Sequence, residues 1–194
     1  METRDIVFIA LFAAITAALA VFPPITLPVV GVPISAQPLG VMLAGGILGA
    51  RRGGLALVLF LALVAIGLPL LPGGRGGFGV FLGPTGGYLI GFIVAAFAIG
   101  SLTEHFWQGL HYTKAFAICL AGVIVLYAIG IPWSAYVAKI DLWTALMASL
   151  LFIPGDIVKG LIAAGVIVIV KRSYPLIAGA SSTSVDSPER RHRS

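Results

Sequence analysis

The sequence predicts an all-α integral membrane protein with six transmembrane helices and both termini in the cytoplasm. Three observations lead to this fold class. First, 59% of the 194 residues are apolar and only 10% are charged, whereas soluble proteins carry about 25% charged residues. Second, residues 6–50, 53–74, 76–103 and 115–138 contain no Asp, Glu, Lys or Arg, and a membrane helix needs about 20 mostly apolar residues. Third, the basic residues are distributed unevenly between the predicted loops.

The composition excludes several classes of protein. A soluble enzyme or a disordered chain is inconsistent with a mean hydropathy of +1.09, because so few charges could not cover a soluble surface. The apolar runs do not alternate with polar residues as barrel strands do. Cys119 is the one cysteine, so we expect neither an internal disulfide nor a metal site.

The order of apolar runs and helix-breaking residues defines the six predicted spans. They are residues 6–22, 38–50, 53–71, 86–103, 115–131 and 142–170. Proline pairs or Pro-Gly steps close the first and third spans, Arg51-Arg52 closes the second, and Pro132 closes the fifth. Pro154-Gly155 interrupts the sixth span. We expect the first span to be a retained helix rather than a cleaved signal peptide, since the leading residues METRD are not clearly cationic.

Counting basic residues gives the predicted orientation. With the N-terminus inside, the inner segments hold nine of the twelve Lys and Arg residues: Arg4, Arg51, Arg52, Lys114, Lys171, Arg172, Arg190, Arg191 and Arg193. The outer segments hold only Arg75 and Lys139. This bias places both termini in the cytoplasm and the unusual loops 23–37 and 73–85 outside. The net charge of +5 therefore indicates a lipid bilayer as partner, not nucleic acid.

The chain divides into a membrane domain and a tail. Residues 1–174 hold the six predicted helices, and residues 175–194 are rich in serine and arginine. We expect this basic cytoplasmic tail to be disordered, because it has too few apolar residues to form a core.

Two charged residues lie inside the last span. Asp156 and Lys159 are three residues apart, so they share a helix face and can partly neutralise each other. A charge within a span is costly and marks a functional site by default. A structural ion pair that fixes helix packing is the alternative. The preceding Pro154-Gly155 step favours a ligand site, since a broken turn exposes backbone groups.

The glycine-rich segment 73–88 is the second candidate. Gly74 and Gly77 flank Arg75, and glycine lets backbone N–H groups approach a ligand closely. Arg75 could bind a carboxylate. A flexible turn that eases helix packing is an equally good interpretation.

Three polar residues near helix ends are further candidates. Pro84 can open the fourth span, with hydroxyl groups from Thr85 and Tyr88 beside it. Gln37, at the end of the outer loop, could donate to or accept from a ligand. An interfacial position explains Gln37 about as well, and we expect Trp133 to be an interface anchor.

The first span carries small residues at helical spacing. Ala10, Ala14 and Ala18 are four residues apart, which lets another helix approach closely. That helix could belong to this chain or to a partner subunit.

Three segments together resemble the BioY family, the substrate-binding S subunits of energy-coupling factor (ECF) biotin transporters. They are GGRGGFGVFLGPTGGYLIGF at 73–92, FPPITLPVVGVPISAQPLGVMLAGGILGARRG at 22–53 and FIPGDIVKG at 152–160. The resemblance extends over most of the chain and leaves out the tail beyond about residue 175.

This resemblance implies a six-helix S-component fold in the cell membrane with biotin as the transported ligand and no cofactor. The family site would use the glycine-rich loop, Tyr88, Asp156 and Lys159. The partners would be a transmembrane coupling subunit and two ATPase subunits, with the alanine face of the first helix meeting the coupling subunit.

Biotin suits these residues. Its ureido group needs acceptors and donors, which Asp156 and Tyr88 can supply, and its carboxylate needs a cation such as Lys159 or Arg75. Three alternatives stay open at this point: an S subunit for another vitamin, a stand-alone secondary biotin transporter, and an intramembrane enzyme. The enzyme is disfavoured because the spans hold no second carboxylate.

Overall fold

Eight α-helices dominate the residues that the computed structural model describes, which are 3–22, 25–26, 33–173 and 176–177. The helices are α1 (Thr3–Ala18), α2 (Gln37–Leu48), α3 (Ala50–Ala65), α4 (Gly79–Leu82), α5 (Gly86–His105), α6 (Tyr112–Ala138), α7 (Leu142–Ser149) and α8 (Ile153–Ser173). Two 3-10 turns, Leu19–Val21 and Leu150–Phe152, extend α1 and join α7 to α8. Strands β1 (Ile25–Thr26) and β2 (Pro33–Ile34) pair antiparallel, with Ile25 opposite Ile34.

Four helical segments of the described chain are long and apolar enough to cross a membrane. They are Thr3–Val21, Gly86–His105, Tyr112–Ala138 and Leu142–Ser173. They correspond to the first, fourth, fifth and sixth predicted spans. Helices α2 and α3, with 12 and 16 residues, reach only about 18 and 24 Å at ~1.5 Å per residue, which is less than the ~30 Å hydrocarbon core.

Helix α2 lies at the centre of the bundle. It packs against α1, α3, α5 and α8, and nine of its 12 residues are buried. A Cβ atom at Gly45 would overlap the Ala96 carbonyl oxygen of α5, and one at Gly46 would overlap Ile167 of α8. Glycine therefore allows the close approach of both neighbours. Because protein surrounds it, α2 need not match the bilayer thickness by itself.

The break between α2 and α3 differs from the prediction. Arg51 and Arg52 do not separate the two helices; they lie in the first turn of α3. The break is at Gly49, whose φ of 84° ends α2 in a conformation that favours glycine. The Ala50 amide, at the start of α3, donates to Oε1 of Glu104 at 2.9 Å, which satisfies one free N–H of the new helix.

Three other predicted helix ends were wrong. The fifth span continues through Pro132 to Ala138; prolines are tolerated within membrane helices because neighbouring groups compensate for the lost hydrogen bond. The third helix ends at Ala65 rather than at residue 71. The last span is interrupted at Leu150–Phe152, just before Pro154-Gly155, which instead lie in the first turn of α8.

The bundle has two distinct ends. At the end that we call the site end, α5 begins, α6 ends and α8 begins. At the opposite end, Arg52 of α3 pairs with Asp5 of α1 at 3.1 Å and donates to the Leu176 carbonyl oxygen at 2.7 Å. Leu176 and Ile177 are buried. The rest of the predicted tail lies outside the described residues, and its disorder stays a prediction.

Candidate functional site

The ion pair of the last span is present, with its carboxylate buried and its ammonium group half-buried. Lys159 Nζ lies 2.8 Å from Asp156 Oδ1, and Asp156 is 3% exposed. Both residues lie near the start of α8, directly after the 3-10 turn. The i,i+3 spacing therefore brings the two charges together on one face, as predicted. Lys159 has two further N–H donors that could reach a ligand.

Tyr127 completes this pair from another helix. Its hydroxyl group lies on α6 and donates to Oδ2 of Asp156, with an O···O distance of 2.5 Å. Tyr127 was not among the site residues predicted from the sequence. A tyrosine in the middle of an otherwise apolar span was the available signal, because a buried phenol needs a hydrogen-bond partner.

Tyr88 lies beside Tyr127. Their ring centroids are 6.4 Å apart with the rings nearly perpendicular, at 81°, and Phe152 makes a similar edge contact with Tyr88 at 6.4 Å. On the remaining side, the Tyr88 ring rests on Gly130 of α6, where a Cβ atom would lie 2.6 Å from Cγ of the ring. The ring is therefore held by neighbours on three sides.

The hydrogen-bond direction at Tyr88 follows from its partner. The Ser149 hydroxyl donates to the Ala145 carbonyl oxygen at 2.7 Å, which uses its single hydrogen. The Tyr88 hydroxyl lies 3.3 Å from Ser149 Oγ and also bonds to the Ser134 hydroxyl, which itself donates to the Ile131 carbonyl oxygen. Tyr88 therefore donates its hydrogen to one of these two serines. Its oxygen can accept from a ligand, whereas donation to a ligand would require this bond to break.

These side chains lie below the tip of the site end. Gly130, under the Tyr88 ring, is eight residues before the last residue of α6, or about 12 Å along the helix. We call Tyr88, Tyr127, Ser149, Asp156 and Lys159 the polar cluster. It is a group of polar side chains recessed among apolar helices, which is the usual setting of a membrane-embedded ligand site.

The glycine-rich loop forms a tight turn near α4. Gly74 and Gly77 have φ values of 70° and 87°, which side-chain-bearing residues rarely adopt. Between them, Arg75 Nε donates to the Pro72 carbonyl oxygen at 3.3 Å, and the Leu71 amide donates to the Arg75 carbonyl oxygen at 3.0 Å. The positive φ values alone explain why glycine occurs at positions 74 and 77. Contact between these glycines and a ligand stays a prediction.

Gln37 and Thr85 have structural partners. The Gln37 amide group, which is 1% exposed, donates to the carbonyl oxygens of Thr16 at 3.2 Å and Leu70 at 2.9 Å. Thr85 donates to the Val80 carbonyl oxygen at 3.3 Å. The structure thus brings together Tyr88, Asp156 and Lys159, whereas the contacts of Gln37, Arg75 and Thr85 are with loop and helix carbonyl groups.

Trp133, which the sequence suggested as an interface anchor, has a hydrogen-bond partner within the protein. Its indole Nε1 donates to the Gly83 carbonyl oxygen at 3.0 Å. A Cβ atom at Gly86 would lie 2.9 Å from Nε1, and one at Gly87 would lie 2.6 Å from Trp133 Cγ. Trp133 therefore fixes the segment that leads from α4 into α5, just before Tyr88.

The alanine face of α1 is open. Ala10, Ala14 and Ala18 are all exposed, and Val7 and Leu11 beside them are 59% and 48% exposed. The opposite face, with Ile9, Phe12, Ala13 and Thr16 buried, packs on α2 and α3. Helix α1 can therefore stay packed in the bundle while another helix approaches its alanine face.

The comparisons with known proteins agree with one another. The family model of the BioY family matches residues 1–176. The biotin transporter BioY of Rhizobium etli is 50% identical over 183 residues, 91% of this chain and 98% of that protein. A probable biotin transporter BioY of Bacillus subtilis is 42% identical over 84% of this chain and 88% of its own.

A solved structure also matches. It is the crystal structure of the S-component for biotin from an ECF-type ABC transporter, with a TM-score of 0.86 and 33% identity. The match covers 91% of this chain and 97% of that one, so the likeness includes nearly the whole fold.

Proposed function

The chain belongs to the BioY family, and we propose that it is the biotin-binding S subunit of an ECF transporter that takes up biotin across the cytoplasmic membrane. It is a membrane transport protein, not an enzyme. The likeness to a solved biotin S-component supports this function. The observation that carries the proposal is the buried Asp156 carboxylate, which meets the Lys159 ammonium group and the Tyr127 phenol group inside the helical bundle.

The polar cluster suits the ureido group of biotin. Each oxygen of Asp156 accepts one hydrogen bond, from Lys159 or from Tyr127, and a carboxylate has about four acceptor positions. Asp156 can therefore also accept from ligand N–H groups, while a spare N–H of Lys159 donates to a ligand oxygen. The aromatic rings of Tyr88 and Phe152 supply apolar walls.

We assign the site to eight residues as a proposal. Tyr88, Asp156 and Lys159 bind the ligand directly. The remaining five line or shape its outer side: Gln37, Gly74, Arg75, Gly77 and Thr85. Gln37 joins the residues just before the glycine-rich segment to α1 through the Leu70 and Thr16 carbonyl groups. Arg75 is the cation of that segment and would attract the biotin carboxylate.

The proposed topology has six membrane spans in residues 1–174, followed by the tail 175–194. Helices α2 and α3 are the two shorter spans, and both termini are cytoplasmic. The basic residues support this orientation. The helix ends at the opposite end of the bundle carry Arg51, Arg52, Lys114, Lys171 and Arg172, whereas the loops of the site end carry Arg75 and Lys139. The site end then faces outward.

Transport would need partner subunits. The described residues hold no nucleotide-binding motif of the Gly-Lys-Ser/Thr type, and we propose a transmembrane coupling subunit with two ATPase subunits. Ala10, Ala14 and Ala18 form the docking face for the coupling subunit, because small residues let helices pack closely in a membrane. ATP-driven movement would reorient the loaded subunit and release biotin inside.

Titration calorimetry on the purified, detergent-solubilised chain tests this function. We expect saturable biotin binding with one ligand per chain and no heat from thiamine or riboflavin. Binding of thiamine or riboflavin in place of biotin would contradict the ligand assignment. No binding of biotin by a sample with intact helical content would contradict the proposed function of the isolated subunit.

A further inference from the structure

Tyr127 holds one oxygen of Asp156 from a different helix. Lys159, on the same helix as Asp156, bonds to Oδ1 at 2.8 Å, while the Tyr127 hydroxyl of α6 donates to Oδ2. With only the lysine in place, the carboxylate could still turn about its terminal torsion, which is broad and soft. Two donors on opposite oxygens fix the plane of the carboxylate.

The phenol is itself fixed. The Tyr127 ring meets the Tyr88 ring edge-on, and Tyr88 is held by Phe152 and Gly130. A series of contacts between rigid aromatic rings on α5 and α6 therefore orients Asp156. A group held in its bound orientation before the ligand arrives loses little freedom on binding, which improves affinity.

The hydrogen-bond directions also determine which groups of the site can donate to a ligand and which can accept from it. Tyr127 gives its single hydroxyl hydrogen to Asp156, and Tyr88 gives its own to a serine hydroxyl, Ser149 or Ser134. Both phenol oxygens are therefore left as acceptors, beside the acceptor positions of Asp156. Within the polar cluster, Lys159 is the residue that keeps further N–H groups for donation to a ligand. This arrangement favours a ligand group with N–H donors around one carbonyl oxygen.

We propose that Tyr127 is a positioning residue of the biotin site, which acts through Asp156 by holding its carboxylate in the binding orientation. This inference rests on the proposed function, because it assumes that Asp156 contacts biotin. It adds to the site a residue that neither the glycine-rich segment nor the Asp156–Lys159 spacing indicates.

The test compares two tyrosine-to-phenylalanine substitutions on the same helix. Tyr127→Phe removes the hydroxyl group and keeps the ring, while Tyr136→Phe removes the hydroxyl group of a residue that is 84% exposed. Hydrogen bonds to charged groups imply that Tyr127→Phe weakens biotin binding by about tenfold or more. Tyr136→Phe should bind biotin as the wild type does.

A double-mutant cycle separates positioning from a merely structural role. If Tyr127 acts through Asp156, Tyr127→Phe should change the biotin Kd by less than about twofold when the acceptor is already removed in Asp156→Ala. An equal loss in both backgrounds would overturn the proposal. Wild-type affinity in Tyr127→Phe would overturn it as well.

A second measurement is needed if the Asp156→Ala variant binds biotin too weakly for titration. In biotin-free protein labelled with 13C-carboxyl aspartate, Tyr127→Phe should shift the Asp156 resonance and Tyr136→Phe should not. An unshifted resonance overturns the proposal. Absence of biotin binding by the wild-type protein in the same experiments would instead contradict the proposed function, so the two failures are distinguishable.

Discussion

Gly130 is the residue of α6 on which the Tyr88 ring rests, and we predict that Gly130→Ala weakens biotin binding. An added Cβ atom would lie 2.6 Å from Cγ and 2.5 Å from Cε1 of that ring. Normal carbon contacts are about 3.5–4.0 Å, so the ring must move by roughly 1 Å. Phe152 and Tyr127 occupy the sides to which it could turn.

The expected magnitude combines two opposing effects. Alanine is favoured over glycine within a helix by about 1 kcal/mol, whereas overpacking a core costs about 1–3 kcal/mol. Folding stability should therefore change little or fall by up to about 2 kcal/mol. Displacement of Tyr88 acts directly on the ligand site, and a loss of about 1.4 kcal/mol there would weaken biotin binding tenfold.

Gly165→Ala is the matched control, because a Cβ atom at that α8 position would meet Tyr112 at an ordinary 3.9 Å. Thermal unfolding in detergent and biotin calorimetry are measured on both variants. We expect Gly165→Ala to be at least as stable as the wild type with an unchanged Kd. A Gly130→Ala protein with wild-type affinity and increased stability would refute the packing argument.

Three further substitutions test other contacts. Trp133→Phe removes the indole donor that fixes the glycine-rich segment and should weaken biotin binding by about fivefold. The control Trp143→Phe, at a 67% exposed position, should bind biotin as the wild type does. Equal Kd values for the two variants in calorimetry would contradict the role of Trp133. Lys139 ends α6 with φ of 55°, a backbone conformation that is strained for a residue with a side chain. Lys139→Gly should therefore stabilise the folded protein by about 1 kcal/mol, and a lower melting temperature would contradict this strain. At Asp141, hydrogen bonds from the Thr144 hydroxyl and amide hold the pKa of the carboxyl below its usual value. Its capping contribution is therefore present above the ordinary Asp pKa and is lost as the pH falls through the lowered one. Acidification should cost the wild type more thermal stability than Asp141→Asn, whose amide caps without titrating; identical acid profiles would contradict that assignment.

The sequence predicted the parts of the fold that depend on local composition. Long charge-free runs indicate the helices α1, α5 and α6, and an apolar run that contains Asp156 and Lys159 indicates the α7–α8 segment. The spacing of Asp156 and Lys159 predicts their pairing. The end of α6 was missed because Pro132 was treated as a helix terminus, although a membrane helix can accommodate proline. The α2–α3 break depends on Gly49 and on Glu104, a residue 54 positions away from Ala50, which local patterns cannot show.

The candidate site was predicted only where its residues are close in sequence or carry charge. Tyr127 of α6 and Ser149 of α7 meet Tyr88 and Asp156 only when α5, α6, α7 and α8 pack together. A tyrosine within an apolar span hinted at a polar role for Tyr127, but local sequence could not show which residue it contacts. The roles of Gln37 and Trp133 were likewise decided by distant carbonyl groups, those of Leu70 and Gly83. Three-dimensional packing therefore determines which polar residues of the apolar spans share a site.

The biotin affinity of Lys159→Ala tests the central claim, that the polar cluster binds the transported ligand, most directly. Titration calorimetry on this variant should show binding weakened by about tenfold or more, since hydrogen bonds to charged groups are worth about 1.5–3 kcal/mol. Lys139→Ala, which changes a lysine in the loop after α6, should bind as the wild type does. Circular dichroism should show unchanged helical content in both variants. Wild-type biotin affinity in Lys159→Ala would contradict the assignment of the site to this cluster.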